Sequence, residues 1–193
     1  MFILYPLAFA LVVGFLTGGR ISRLAAIQIR WWWLALTGLA VQIVLFSPAF
    51  TAVGAIGPVL YVASSLAVLV AVVANWRLPG APIVALGGLL NQLAILANGG
   101  YMPTSAAALA LAGLDPIDGY SNSRELAQPA LPWLTDIFAL PAGVPWANVF
   151  SLGDILIGIG VAWLAFRAMR GAHPSPSRAV EVLHPTTPAG TTG

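Results

Sequence analysis

The residues of this chain that could do chemistry are few, and most gather around one stretch. Asp154 stands three residues after Ser151 at the head of an apolar run, with Tyr101, Asp136 and Asn148 in the polar stretch before it. An ionisable residue inside a membrane-length apolar segment is expensive, so Asp154 is a natural ligand, cation or proton site. The same residues also fit a capping box. Ser151 would be the N-cap and Asp154 the third helical residue, with Phe150 and Ile155 as a hydrophobic staple. The carboxylate would then sit near water at the positive end of a helix, where it costs little. The two readings are compatible and both stay open. An Asp pair such as Asp136 with Asp154 is also open for acid/base work, though nothing in the spacing demands it.

Most catalytic templates are absent. The chain has no G-x-S-x-G elbow, no H-E-x-x-H, no phosphate-binding loop and no dinucleotide fingerprint. With no cysteine it can have no thiolate nucleophile or cysteine metal site. His173 and His184 are isolated among prolines near the C-terminus. Asp115, Asp118 and Glu125 lack the spacing of a calcium loop and read as a solvated turn. No catalytic residue, metal or cofactor is therefore assigned.

The polar residues inside apolar runs are more informative. Gln42, Asn91 and Asp154 each lie a few residues from what should be the outer end of a helix, so they could meet at one depth. Gly87, Asn91, Ala94 and Asn98 follow the i, i+4, i+7, i+11 pattern of a single helix face, which should point inward. The candidate ligand-binding residues are Gln42, Asn91, Asn98, Tyr101, Asp136, Asn148, Ser151 and Asp154.

The elements that must position them follow from composition. Of 193 residues, 59% are hydrophobic and 7% charged, against roughly 25% charged in a soluble domain. The expected fold is all-α, a polytopic membrane helix bundle. Its five apolar segments are roughly Phe2 to Gly18, Trp31 to Ser47, Ile56 to Asn75, Pro82 to Ala97 and Leu152 to Met169. Five crossings place seven of the eight arginines on one side and Arg124 on the other. That asymmetry predicts an N-terminus outside and a C-terminus in the cytoplasm. The first segment reads as a retained helix, because Arg20 and Arg23 follow its apolar core instead of preceding it. Trp31, Trp32, Trp33 and Trp76 fall at the inner interface, Trp133 and Trp146 at the outer one. Small residues at Gly14 and Gly18, at Ala63, Ala67 and Ala71, and at Gly158 and Ala162 predict close helix packing.

Residues 1–170 should form the transmembrane domain, with an outer loop over about 98–150, and residues 171–193 a flexible cytoplasmic tail. Within the loop, Asn98-Gly99-Gly100 is a helix stop. Ser105 should cap a short helix, Ala106 to Ala112, ended by Gly113, and Leu131 to Leu140 should form a second short helix along the outer interface. A loop of about fifty residues is far longer than usual, and its apolar content argues against disorder.

The sequence resembles a family of small bacterial integral membrane proteins of unknown function. The resemblance rests on Asn98-Gly99-Gly100-Tyr101-Met102-Pro103, on Asp136-Ile137-Phe138 followed by Pro141, and on Asn148-Val149-Phe150-Ser151-Leu152-Gly153-Asp154. It covers residues 1 to about 170 and implies a shared polytopic fold, with no activity, substrate or catalytic residue attached. Three functional readings result. The first is a non-enzymatic binding or accessory protein with a polar pocket near the outer leaflet. A transporter or permease-like component using Asp154 is the second, and a membrane-embedded enzyme using Asp136 and Asp154 the third. Expected partners are membrane lipids and a small molecule or partner membrane protein. A nucleic acid is not among them, because the basic charge marks topology and makes no basic face in water.

Overall fold

Apolar runs punctuated by glycine and arginine make this chain mostly helical. The computed structural model describes residues 2–47, 54, 56–115 and 123–171. Among these the helices are α1 (Leu4–Leu16), α2 (Trp32–Leu45), α3 (Ile56–Ala74), α4 (Ala81–Ala97), α5 (Ala106–Ala112) and α6 (Leu152–Arg170), with 3-10 turns at Ile21–Ala26 and Pro132–Leu134. By length and composition α3 and α6, of 19 residues each, could cross a membrane, whereas α1, α2 and α4 are shorter apolar helices. The tail beyond Gly171, with its two histidines, and Asp118 lie outside the described residues.

Several helix ends follow from backbone chemistry. α1 stops short of the expected end because Gly18 takes a left-handed turn, φ 87°, and the Gly19 N–H returns to the Gly14 carbonyl at 2.8 Å. Gly18 is thus a helix stop with nothing within 4 Å of an added methyl, while Gly14 packs against the Met169 side chain. The expected pairing of Gly14 and Gly18 on one packing face is corrected accordingly. On α3, Ala71 is buried and Ala67 faces Gly38 of α2, but Ala63 is exposed.

The helices neighbour one another in the order α1, α6, α4, α3, α2. Small residues make this possible. Gly80 and Gly87 on the α4 side oppose Gly153 and Gly160 on α6, in each case seven residues apart. A methyl on Gly160 would stand 2.6 Å from Val84 Cγ2 and 2.7 Å from the Gly80 carbonyl oxygen, and one on Gly87 would lie 2.9 Å from the Ile157 nitrogen. The two backbones therefore touch directly. Gly158 uses another face of α6, against Pro6 and Phe2.

Many large apolar side chains face outward, where those of a soluble domain go inside. Phe9 is 72% exposed, Leu16 76% and Ile43 65%, whereas Ala94 is 0% exposed and Ala10, Ser64 and Ala71 are buried.

The segment between α4 and α6 holds four three-residue strands. β1 (Met102–Thr104) pairs in parallel with β2 (Ser123–Glu125), and β3 (Phe138–Leu140) pairs antiparallel with β4 (Asn148–Phe150). α5 begins after Ser105 and ends at left-handed Gly113, as the sequence suggests, but the Ser105 side chain makes no capping bond. Its backbone N–H instead donates to the Asp136 carbonyl at 3.1 Å. The expected helix over Leu131 to Leu140 is replaced by the turn Pro132–Leu134 and then β3. The cause is a tertiary pairing. The Asp136 N–H donates to the Pro103 carbonyl at 2.9 Å, which holds the chain extended beside β1.

Candidate functional site

Asn98 ends α4 and its two following glycines turn the chain. Gly99 and Gly100 both have positive φ. Their N–H groups return to Leu96 at 3.4 Å and Ile95 at 2.8 Å, the paired bonds of a Schellman stop. The Asn98 side chain then clamps the opposite strand of the loop. Its Nδ2 donates to the Ala130 carbonyl at 2.9 Å and its Oδ1 accepts from the Ala130 N–H at 2.8 Å. Asn98 is therefore a latch on the loop.

At the other end of the loop the capping box is formed in full. The Asp154 N–H donates to Ser151 Oγ at 3.0 Å, and the Ser151 N–H donates to Asp154 Oδ2 at 3.1 Å. Asn91 of α4 closes the cluster, accepting from Ser151 Oγ at 2.7 Å and donating to Asp154 Oδ1 at 2.9 Å. Ser151 is wholly buried. An added methyl on Gly153 would collide with the Asn91 side-chain oxygen and stand 2.6 Å from its Cγ. Ser151, Gly153 and Asp154 thus have separate duties: to cap, to make room for Asn91, and to bond it.

Asp154 also forms part of the wall of a cavity of about 300 Å³, together with Phe2, Ile3, Leu4, Asn148 and Phe150. The rings of Phe2 and Phe150 are stacked with centroids 4.2 Å apart, and Phe138 lies 5.7 Å from Phe150 on β3. Tyr5 donates its hydroxyl hydrogen to the Pro145 carbonyl, tying α1 to the loop beside this cavity. Asn148 is half-buried and paired with Leu140 across the β3–β4 ladder.

Asp136 is only 6% exposed. Burial, and secondly the charge of Asp154, raise its carboxyl from 3.8 to about 7. Asp136 therefore exchanges its proton near neutral pH, in electrostatic reach of Asp154.

The candidate residues separate into groups. Asn91, Ser151 and Asp154 meet directly; Asn148 joins Asp154 at the cavity; Asp136 feels the charge of Asp154. Asn98 serves the loop. Tyr101 carries the Arg124 guanidinium 5.0 Å above its ring, so Arg124 is engaged there instead of on Asp154. Gln42 does not join. Its Nε2 reaches Ser65 Oγ at 3.4 Å on α3, because α3 and α4 stand between α2 and α6. Asp115 and Glu125 are exposed, and among the described residues no group of three or more His, Cys, Asp or Glu could hold a metal.

Other residues gave no direct sign in the sequence. Phe2 and Phe150 wall the cavity, Gly153 admits Asn91, and Thr104, bridged to Asp136, is buried with no partner for its hydroxyl among the described residues. A visible signal existed for one structural feature. Ala71-Val-Val-Ala-Asn75 and Ala94-Ile-Leu-Ala-Asn98 are near-copies 23 residues apart.

Residues 26–166 match the model of a family described as Family of unknown function (DUF5317). An uncharacterized protein of Thermotoga maritima is 36% identical over 89 residues, which are 45% of this chain and 51% of that protein. The similarity thus spans about half the length of that relative. No solved structure matches.

Proposed function

The chain belongs to DUF5317, a family of unknown function, and we propose that it is a multi-pass protein of a bacterial cytoplasmic membrane that binds a small molecule near the outer leaflet without transforming it. Its N-terminus lies outside and its C-terminus in the cytoplasm. The belt of exposed Phe, Leu, Ile and Val over all five long helices supports immersion in lipid. The clustering of seven arginines on one side supports the orientation. α1 and α2 are only about 20 Å long at 1.5 Å per residue, so they cross with the help of flanking residues and a locally thinned bilayer.

The observation that carries the binding role is the cavity of about 300 Å³ in which Asp154 is the one ionisable wall residue among aromatic and aliphatic side chains. Its neighbours among the described residues supply hydrogen bonds and no cation. A carboxylate in a wall shared with Phe2, Leu4 and Phe150 suits a small amphipathic molecule with a positively charged amine. The test uses purified protein in detergent with alkylammonium probes and neutral alcohols of the same shape. The ammonium series should raise the melting temperature, and Asp154→Asn, which can still cap the helix, should abolish the difference. Equal stabilisation by alcohol and ammonium would contradict the assignment.

A second reading, proton-coupled transport, is favoured by Asp136, whose carboxyl titrates at about 7 beside Asp154. It requires uptake into proteoliposomes that depends on a pH gradient and is lost in Asp136→Asn. Gradient-independent binding alone would favour the first reading.

A further inference from the structure

A second site lies at the opposite end of the bundle. A groove of about 390 Å³ runs between the start of α2 and the last turns of α3, lined by Arg30, Trp31, Leu69, Val70, Val73 and Ala74. Its walls are apolar along α3, and its mouth carries an arginine and a tryptophan.

Arg30 differs from most other arginines of the described chain. The Arg23 guanidinium donates to the Met169 carbonyl at 3.0 Å. Those of Arg77, Arg124, Arg167 and Arg170 lie over the rings of Trp76, Tyr101, Trp163 and Phe166. Arg30 is exposed, and its guanidinium has no such partner among the described residues. What is fixed is its backbone. Asn75, buried at the end of α3, donates to the Arg30 carbonyl at 2.8 Å and accepts from the Arg30 N–H at 2.8 Å. The root of this side chain is therefore held rigidly against the helix that forms the groove, with Trp31 beside it in a left-handed conformation, φ 56°. Fixing the backbone at the root of the cation reduces what binding must later order.

We propose that this groove binds an anionic phospholipid of the inner leaflet, with the phosphate on Arg30 and an acyl chain along Leu69, Val70 and Val73. Charge complementarity selects the occupant. An unpaired guanidinium at the mouth of an apolar channel fits a phosphate that is covalently joined to a hydrocarbon chain, and an interfacial indole fits the level of the headgroup. The site rests on the membrane orientation proposed above, but not on the outer cavity.

The test measures retention of dioleoyl phosphatidylglycerol and dioleoyl phosphatidylcholine by the full chain in detergent, using native mass spectrometry. Wild type should retain phosphatidylglycerol in preference. Arg30→Gln should weaken that retention about tenfold, the loss expected of one charge-assisted contact, and Val70→Trp, which fills the groove from an exposed position, should weaken it as well. Arg20→Gln, which lies outside the groove, should leave it unchanged. Retention in Arg30→Gln equal to wild type, or equal retention of both lipids by wild type, would overturn the proposal. Extraction of the chain from cells without detergent would instead overturn the membrane reading itself.

Discussion

The two ends of the helix row are held by the same device and equipped for different tasks. At one end Asn75 bonds the Ala71 carbonyl one turn back and both backbone groups of Arg30. At the other end Asn98 bonds the Ala94 carbonyl and both backbone groups of Ala130. In each case the next residue, Trp31 or Leu131, is left-handed. The glycine contacts are also matched, Gly80 with Gly160 and Gly87 with Gly153. Beyond that the ends diverge. At the Asn75 end the guanidinium groups of Arg23, Arg77, Arg167 and Arg170 meet a carbonyl or aromatic rings, whereas the carboxylates Asp136 and Asp154 at the Asn98 end have no cationic partner among the described residues. The shared parts are scaffold, and the unmatched groups, Asp154 at one end and Arg30 at the other, mark where ligands are expected.

The largest effect that sharpens this contrast is a pH dependence confined to the end that carries the carboxylates. The Asp136 carboxyl is raised to about 7, so between about pH 4 and 7 the folded chain holds a proton that the unfolded chain has released. Stability should be greatest below pH 4 and fall as pH rises through 7, by about 4 kcal/mol. Asp136→Asn should flatten the curve and be the more stable form above pH 7. Chemical denaturation across that range measures it, and stability that rises with pH would break the assignment.

Next in size, Gly153→Ala and Gly160→Ala should each cost about 3 kcal/mol through overpacking against a neighbouring backbone or side chain. Only the first should also remove the ammonium-dependent stabilisation, since it displaces Asn91 from Asp154. Loss of that response in both would merge the two ends into one packing effect. The smallest effect concerns the latches. Asn75→Ala should cost about 2 kcal/mol, because Asn75 is buried, and half-buried Asn98→Ala about 1 kcal/mol. Thermal unfolding in detergent would report the order, and the reverse order would show that burial does not set the strength of the clamp.

Much of this was legible because it is local. The capping box at Ser151 to Asp154 and the glycine stop after Asn98 are set by residues within a few positions of each other, and both are present. The depth of Gln42 could be read from its distance to a helix end, but not the side of the bundle it faces, and it bonds Ser65 instead. The Leu131 to Leu140 segment is apolar enough for a helix, and only its pairing with Pro103 draws it into a strand. The need for glycine at 153 is not legible in the sequence, because the side chain that requires it, Asn91, belongs to another helix. The repeated Ala-x-x-Ala-Asn was visible, yet what its asparagines clamp lies 45 and 32 residues away.

We propose that the carboxylate-bearing end faces outward and the arginine-bearing end inward. The chain contains no cysteine, so single cysteines can be placed at will. In intact cells a membrane-impermeant maleimide should label Asn148→Cys and should label Arg77→Cys only after permeabilisation. Labelling of Arg77→Cys from outside, with Asn148→Cys protected, would contradict the account.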